Sequence, residues 1–218
     1  KYLSKYRLSH FNLLGKDVAE LHVLTLKYAK RIKQRFNHNF YINTFKDNNR
    51  LILEYNSNIE NIFNNVIHDY RNLNKVTMAK GIIHGDLFPD NVLFYKAKIS
   101  GFIDFYFSNY DFLISDIAII IISWCFDINN FKLNLNMVKV NILLRSYNSI
   151  RKISNNELLA LNIMCKIYCI RFFLTRLIDK KDKKDSKKVL TKDPKEYMYK
   201  LLYFDKNHIN FEQVITHE

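Results

Sequence analysis

Apolar residues recur at three- and four-residue intervals along most of the chain, and that pattern predicts a mainly helical fold. In LSHFNLLGKDVAELHVLTLKYAKRI, Phe11, Leu14, Val18, Leu21 and Leu24 fall at helical spacing. Gly15 inside that run is either a small cost or a close packing point. An asparagine-rich polar stretch follows near 37–50, and no helix is read into it. The helical period returns in IENIFNNVIHDYRNL through Ile59, Ile62, Phe63, Val66 and Tyr70. Further helices are expected near 113–126, 136–150 and 154–178. A last one opens at TKDPKEYMYKLL, where Asp193 reads as the N-cap, Pro194 as the first helical residue and Glu196 as the third, in capping-box fashion. The most apolar run, IAIIIISWCF at 117–126, is too short to cross a bilayer about 30 Å thick and reads as a buried helix or strand.

Between residues 80 and 104 the period changes from helical to alternating. KGIIHGD reads as a short strand ending at a turn. NVLFYKAKISGFIDF reads as two strands, 92–95 and 99–104, about a turn at 96–98. The fold class expected is therefore α+β, mainly α, with a small β-hairpin set in a helical body. The chain has only four glycines and two prolines, yet IIHGDLFPDN holds one of each beside Asp86, Asp90 and Asn91. Asn91 precedes the first hairpin strand and Asp104 ends the second, and the two ends of an antiparallel hairpin meet. Two hard oxygen donors at the hairpin mouth suit Mg²⁺, which takes few protein oxygens and keeps waters and phosphates in its shell. Asp86 lies across the turn and can face the same cavity, while Gly85 permits a backbone conformation that a side chain would resist.

An Asp, four residues, an Asn, a hairpin and a second Asp is the order found in kinase active sites, where they serve as base, metal ligand and metal ligand. The form HGDLFPDN followed by IDF resembles the aminoglycoside phosphotransferase and choline kinase superfamily. Together with GFIDFYFSNYDFLISDIAI, SWCFD, RFFLTRL and KDPKEY, in that order, it resembles the homoserine kinases within it. GKDVAELH resembles the helix after the hinge of such enzymes. The likeness runs from about residue 8 to 204 and is tightest at 82–127 and 171–177.

That resemblance implies a protein-kinase-like fold, of which residues 1–218 are the helical C-terminal lobe and 82–116 the active-site segment. It implies transfer of the γ-phosphoryl of ATP to the hydroxyl of L-homoserine, a step toward threonine. Asp86 is implied as the catalytic residue, with Asn91 and Asp104 holding Mg²⁺ on ATP. His84 and Asp116 are implied in support, His84 bracing the loop and Asp116 holding it or simply capping a helix. Homoserine carries an ammonium and a carboxylate, so Tyr106, Asn109, Asp111, Arg171 and Arg176 are candidates to contact it. The two arginines lie in an apolar helix, where a structural ion pair explains them equally. Trp124 and Phe126 read as core. No glycine-rich loop or strand-rich segment precedes residue 80, so the ATP-covering N-terminal lobe is expected to be absent. The chain then reads as a fragment, as half of a split enzyme with a partner chain, or as a remnant.

Composition adds less. The formal charge is +13, from 34 Lys and Arg against 21 Asp and Glu. It is compatible with nucleic acid, headgroups or phosphorylated small molecules, and equally with a solvated lysine-rich surface, which is also the reading of the lysine-rich loop at 180–188. The three cysteines, Cys125, Cys165 and Cys169, form no paired motif; Cys165 and Cys169 share a helical face in a core. That usage favours a reducing, cytoplasmic setting. No membrane partner is expected. Two rival readings stay open: another small-molecule kinase acting on choline, an aminoglycoside or a sugar, and a non-catalytic basic binding protein.

Overall fold

The computed structural model describes residues 6–31, 36–129, 132–182 and 193–214. In chain order the elements are helices α1 (Leu8–Thr25), α2 (His38–Leu53) and α3 (Ile59–Leu73), strands β1 (Lys80–Ile83), β2 (Val92–Tyr95), β3 (Lys98–Phe102) and β4 (Asn109–Phe112), helix α4 (Ile114–Trp124), strands β5 (Phe126–Asn129) and β6 (Lys132–Leu135), and helices α5 (Met137–Ile150), α6 (Asn155–Asp182) and α7 (Lys195–Lys206). The fold is mostly helical, and the strands form three antiparallel pairs, β1 with β4, β2 with β3 and β5 with β6. The chain divides into two compact units. The first takes residues 1–35, 77–162 and 210–218; the second takes 36–76 and 163–209.

In the first unit, α1 buries Phe11, Leu14, Gly15, Val18, Ala19 and His22. This face follows the helical period more closely than the expected one. Leu24 is instead 67% exposed, and its place on the stripe is taken by a histidine. Gly15 is the close packing point. A Cβ there would meet the Ser146 hydroxyl at 2.0 Å and the Leu143 carbonyl at 2.5 Å, so α1 and α5 touch almost backbone to backbone. The isoleucine-rich run forms a helix, α4. Its six isoleucines are all fully buried, each worth about 1.5–3 kcal/mol as an upper figure. A helix apolar all round has no solvent face and belongs in a core.

The hairpin turn comes at Lys96 and Ala97, both at positive φ (46° and 59°), as a two-residue turn matching strand twist requires. The register slips between Leu93 and Phe94. Ser100 is the extra residue, its hydroxyl donating to the Leu93 carbonyl at 3.2 Å. The strand β3 stops at Phe102, two residues short of the expected end, and Asp104 stands beyond it in the left-handed region. The strands β4, β5 and β6 were not foreseen. β4 lies beside β1, pairing Asp111 with Gly81 and Asn109 with Ile83.

In the second unit, the asparagine-rich stretch is a helix after all, α2. The Asn37 side chain accepts the Phe40 N–H at 3.1 Å as its cap, and Tyr41, Phe45, Asn48 and Ile52 supply a buried stripe. Phe45 stacks on Phe63 of α3 with ring centroids 4.1 Å apart. Helix α7 begins one residue later than expected. Asp193 accepts the Lys195 N–H at 3.0 Å, but Glu196 closes no capping box; its carboxylate takes Arg176 and Lys200 instead. A capping box does open α6, in the first unit: Glu157 N–H donates to Ser154 Oγ, and Ser154 N–H donates to Glu157 Oε2 at 2.9 Å. Helix α6 is long and apolar enough to cross a membrane, and 78% of its most apolar stretch is buried inside the fold, as in a core helix. Residues 183–188 of the lysine-rich loop lie outside the described residues.

Substituting Gly15→Ala should destabilise the chain. The new methyl adds helix propensity worth under about 1 kcal/mol, while forcing it against a backbone carbonyl costs about 1–3 kcal/mol. A fall in Tm of roughly 2–8 °C by calorimetry is expected; an unchanged or raised Tm would refute the close-contact account.

Candidate active site

The strand β1 delivers the chain to His84 and Gly85, where it reverses. Gly85 has φ +77°, and a Cβ there would meet the Phe107 carbonyl at 2.6 Å, so both conformation and space demand glycine. The turn then closes on itself. Phe88 N–H donates to the Asp86 carbonyl at 2.7 Å, and Asn91 N–H to the Phe88 carbonyl at 2.9 Å. The Asn91 side-chain amide donates to the Asp86 carbonyl at 2.7 Å and to its carboxylate at 3.0 Å. Two oxygens around one amide nitrogen fix which way the carboxamide points, with its own oxygen turned away from Asp86. Asp86 is half-buried and Asn91 buried.

His84 is engaged at both ring nitrogens. Asp86 N–H donates to Nδ1 at 3.2 Å, so Nε2 carries the proton and donates to the Ile103 carbonyl at 3.0 Å. These bonds tie the loop to the hairpin, and neither nitrogen is left for a metal.

The hairpin ends meet as expected. Ile103 N–H donates to the Asn91 carbonyl at 3.0 Å, which leaves Asp104 as the next residue beyond that bond. Asp104 sits at φ 62°, ψ 62° and is exposed, and among the described residues no side chain or amide neutralises it. A left-handed, non-glycine aspartate is a strained device of the kind that clusters at functional sites. Carboxylate and carboxamide oxygens are hard donors of the kind Mg²⁺ takes while sharing its shell with phosphates, and the backbone bond between Ile103 and Asn91 brings together the two chain segments that carry them. Among the described residues no three or more His, Cys, Asp or Glu side chains are grouped to enclose a metal by themselves.

Asp116 occupies the third position of α4, so it is not an N-cap. It is fully buried, and its two oxygens accept the N–H groups of His84 and Gly85, each at 2.8 Å. A third bond comes from His22 Nε2 at 3.0 Å. Burial pushes the Asp116 carboxyl up, but the hydrogen bond from His22, the electrostatic attraction of the His22 and His84 rings and the Gly85 amide outweigh it and hold it below the ordinary 3.8. The chain of contacts continues. The Tyr147 hydroxyl lies 2.7 Å from His22 Nδ1, Arg151 donates to the Tyr147 oxygen at 3.3 Å, and Arg151 pairs with buried Glu157 at 2.6 Å. Burial raises the Tyr147 pKa well above the tyrosine range, so the hydroxyl stays protonated. Asp116 was expected in support, whereas His22, Tyr147, Arg151 and Glu157 were missed in the sequence; the one available signal was a histidine on the apolar stripe of α1.

The substrate candidates separate. Tyr106 follows Asp104 closely and is 69% exposed. Asn109 is buried and donates to the Phe107 carbonyl at 3.0 Å, beneath Gly85. Asp111 is buried in β4 and accepts the Phe112 N–H. Arg171 and Arg176 belong to the second unit. Arg171 is buried with its guanidinium 4.0 Å from the Phe36 ring centroid, and Arg176 pairs with Glu196 at 2.7 Å.

Comparison with known proteins bears on the family and the fold. Residues 7–131 match the model of the phosphotransferase enzyme family. A homoserine kinase of Sinorhizobium fredii is 44% identical over 126 residues, covering 58% of this chain and 38% of that one. A homoserine kinase of Rhizobium etli is 31% identical over 202 residues, covering 93% and 62%. The chain thus spans less than two thirds of the length of the curated relatives it matches. Among solved structures, an amicoumacin kinase in complex with AMP-PNP, Ca²⁺ and Ami superposes with a TM-score of 0.64 at 14% identity, covering 96% of this chain and 63% of that one; at that identity the likeness is one of fold. The chain belongs to the phosphotransferase enzyme family.

Because the native Asp116 pKa lies below 3.8, its ionised form contributes stability that is complete above about pH 4 and is lost as pH falls toward the native value. Substitution Asp116→Asn leaves the His84 and Gly85 amides competing for one oxygen and should cost about 3–5 kcal/mol at neutral pH. The variant should also lose less further stability than the parent between pH 5 and 3. Urea titrations across that range measure both effects; parallel acid limbs would contradict the assignment.

Proposed function

We propose that this chain carries the phosphoryl-transfer site of a homoserine kinase, which uses ATP to convert L-homoserine to O-phospho-L-homoserine and ADP in threonine biosynthesis. The observation that carries the reading is the closed loop of residues 84–91, in which the Asn91 amide nitrogen is bonded to both oxygen types of Asp86 and the Asn91 backbone carbonyl to Ile103, the residue before Asp104. Homoserine kinases among the relatives support the choice of acceptor.

In this reading Asp86 accepts the proton of the homoserine hydroxyl and aims it at the phosphorus. Its amide and carbonyl are tied down, so the carboxylate is the loop's reacting group. The Asn91 oxygen and Asp104 would hold Mg²⁺, which when bound neutralises charge on the phosphates. Little covalent chemistry is asked of the protein, and positioning supplies most of the acceleration. Tyr106, exposed beside Asp104, is the candidate we retain for contact with homoserine. Asn109 and Asp111 act by supporting the loop and strand, and Arg176 is engaged by Glu196. The three buried cysteines, none of them in a disulfide, suit a cytoplasmic enzyme.

Another alcohol acceptor is the second reading, since the amicoumacin kinase shares the fold. Release of ADP from Mg-ATP should be measured with homoserine, choline and an aminoglycoside in turn. Homoserine should be preferred by about 10²-fold or more, the margin a hydrogen-bonding site commands. Substitution Asp86→Asn should cost roughly 10²–10⁴ in turnover, and Asp104→Ala at least as much. Turnover that persists in Asp86→Asn would sink the assignment of the base; preference for another acceptor would sink only the substrate.

A further inference from the structure

Helix α4 holds the 84–91 loop at two places. Near its start, Asp116 takes the N–H groups of His84 and Gly85. At its last residue, Trp124 donates its indole N–H to the Leu87 carbonyl at 2.9 Å, with both residues buried. Eight residues of helix set the two contacts about 12 Å apart along the axis. Asp86 lies between them. Its own N–H goes to His84 and its carbonyl to Phe88 and Asn91, so the Trp124 bond restrains the peptide on the far side of the base. Ser123 reaches the same carbonyl only at 3.4 Å and spends its better bond, at 2.6 Å, on Ile119. The indole ring is itself fixed, with Tyr6 4.6 Å away and the rings of Phe11 and Phe94 at 6.3 and 6.5 Å. It therefore joins α1, the hairpin and the loop. A core tryptophan needs only some acceptor for its N–H; here the acceptor is the carbonyl one residue past Asp86.

We infer that Trp124 is a positioning residue for Asp86, fixing the downstream side of the loop as Asp116 fixes the upstream side. The inference rests on the reading of Asp86 as the base. Deleting the N–H leaves a buried carbonyl without its strong donor and lets the loop relax, while nucleotide contacts stay where they are.

The test is to replace Trp124 with 3-benzothienylalanine, which keeps the ring's shape and lacks the N–H, alongside Trp124→Phe. The chain has one tryptophan, so a single site is altered. Backbone amide exchange over 84–91 should quicken about tenfold, with α5 unchanged, and turnover should fall about tenfold with KM for ATP within about twofold, the pattern of a lost transition-state alignment. Unchanged loop exchange overturns the inference, as does an equal rise in α5, which would signal general loosening. If Asp86→Asn leaves turnover intact, the base assignment fails by itself, and the exchange data still decide whether Trp124 holds the loop. If Trp124→Phe does not fold, the isostere alone decides.

Discussion

A buried carboxylate with three hydrogen-bond donors is the constraint on which the site depends. Asp116 has no contact with solvent, and an ionised group so placed is tolerated only when its lone pairs are answered. Two of the answers are backbone N–H groups of consecutive residues, His84 and Gly85. Two adjacent amides can point at one carboxylate only if the chain turns sharply between them. That turn is what places Gly85 at φ +77° with no room for a side chain. The glycine, the aspartate and the direction in which Asp86 leaves the loop are thus one requirement expressed at three positions.

The third donor extends the requirement outward. His22 bonds Asp116 through one nitrogen and faces the Tyr147 hydroxyl through the other. Because Arg151 donates to the Tyr147 oxygen, the phenolic proton is free to be given to the imidazole, and the imidazole proton is directed to Asp116. Glu157 ends the chain, with one oxygen on Arg151 and the other capping α6 at Ser154. Helices α1, α4, α5 and the start of α6 therefore share one polar thread through an otherwise apolar unit. Such a thread is costly if any member is left unpaired, which makes it a device for specifying one packing of these helices. The backbone contact at Gly15 serves the same end, since it brings α5 near enough for Tyr147 to reach His22.

How much of this was legible depends on how far apart the partners lie. The loop and hairpin were readable because Gly85, Asp86, Pro89, Asn91 and Asp104 fall within twenty residues, and their roles follow from local turns. The helix α3 was readable because its period is clean. Helix α2 was hidden by asparagines that lower helix propensity, although Tyr41, Phe45 and Ile52 carried the stripe. The short strand β4, sequence NYDF, alternates polar and aromatic residues, but over only four positions, and it exists by pairing with β1. His22 and Trp124 were the hardest, for each stands on an apolar surface and looks like packing. Their meaning lies in acceptors 94 and 37 residues away, and no local pattern encodes such a distance. In both cases a polar atom on an apolar stripe was the trace that remained.

The distribution of restraint within the loop has a chemical logic. The loop's backbone is held from outside by Asp116 and Trp124 of α4 and from within by His84 and Asn91. What is left to vary is the Asp86 carboxylate, steadied on one oxygen by Asn91. Asp104 presents the opposite case, an exposed carboxylate on a strained backbone with nothing among the described residues to neutralise it. A base must be aimed before its substrate arrives, because misalignment is paid for at every turnover. A metal ligand gains from remaining unneutralised until the cation supplies the charge it lacks. In the proposed function, a held backbone around Asp86 suits a base and an exposed carboxylate at Asp104 suits a metal ligand, and both follow from the same few residues that make the turn.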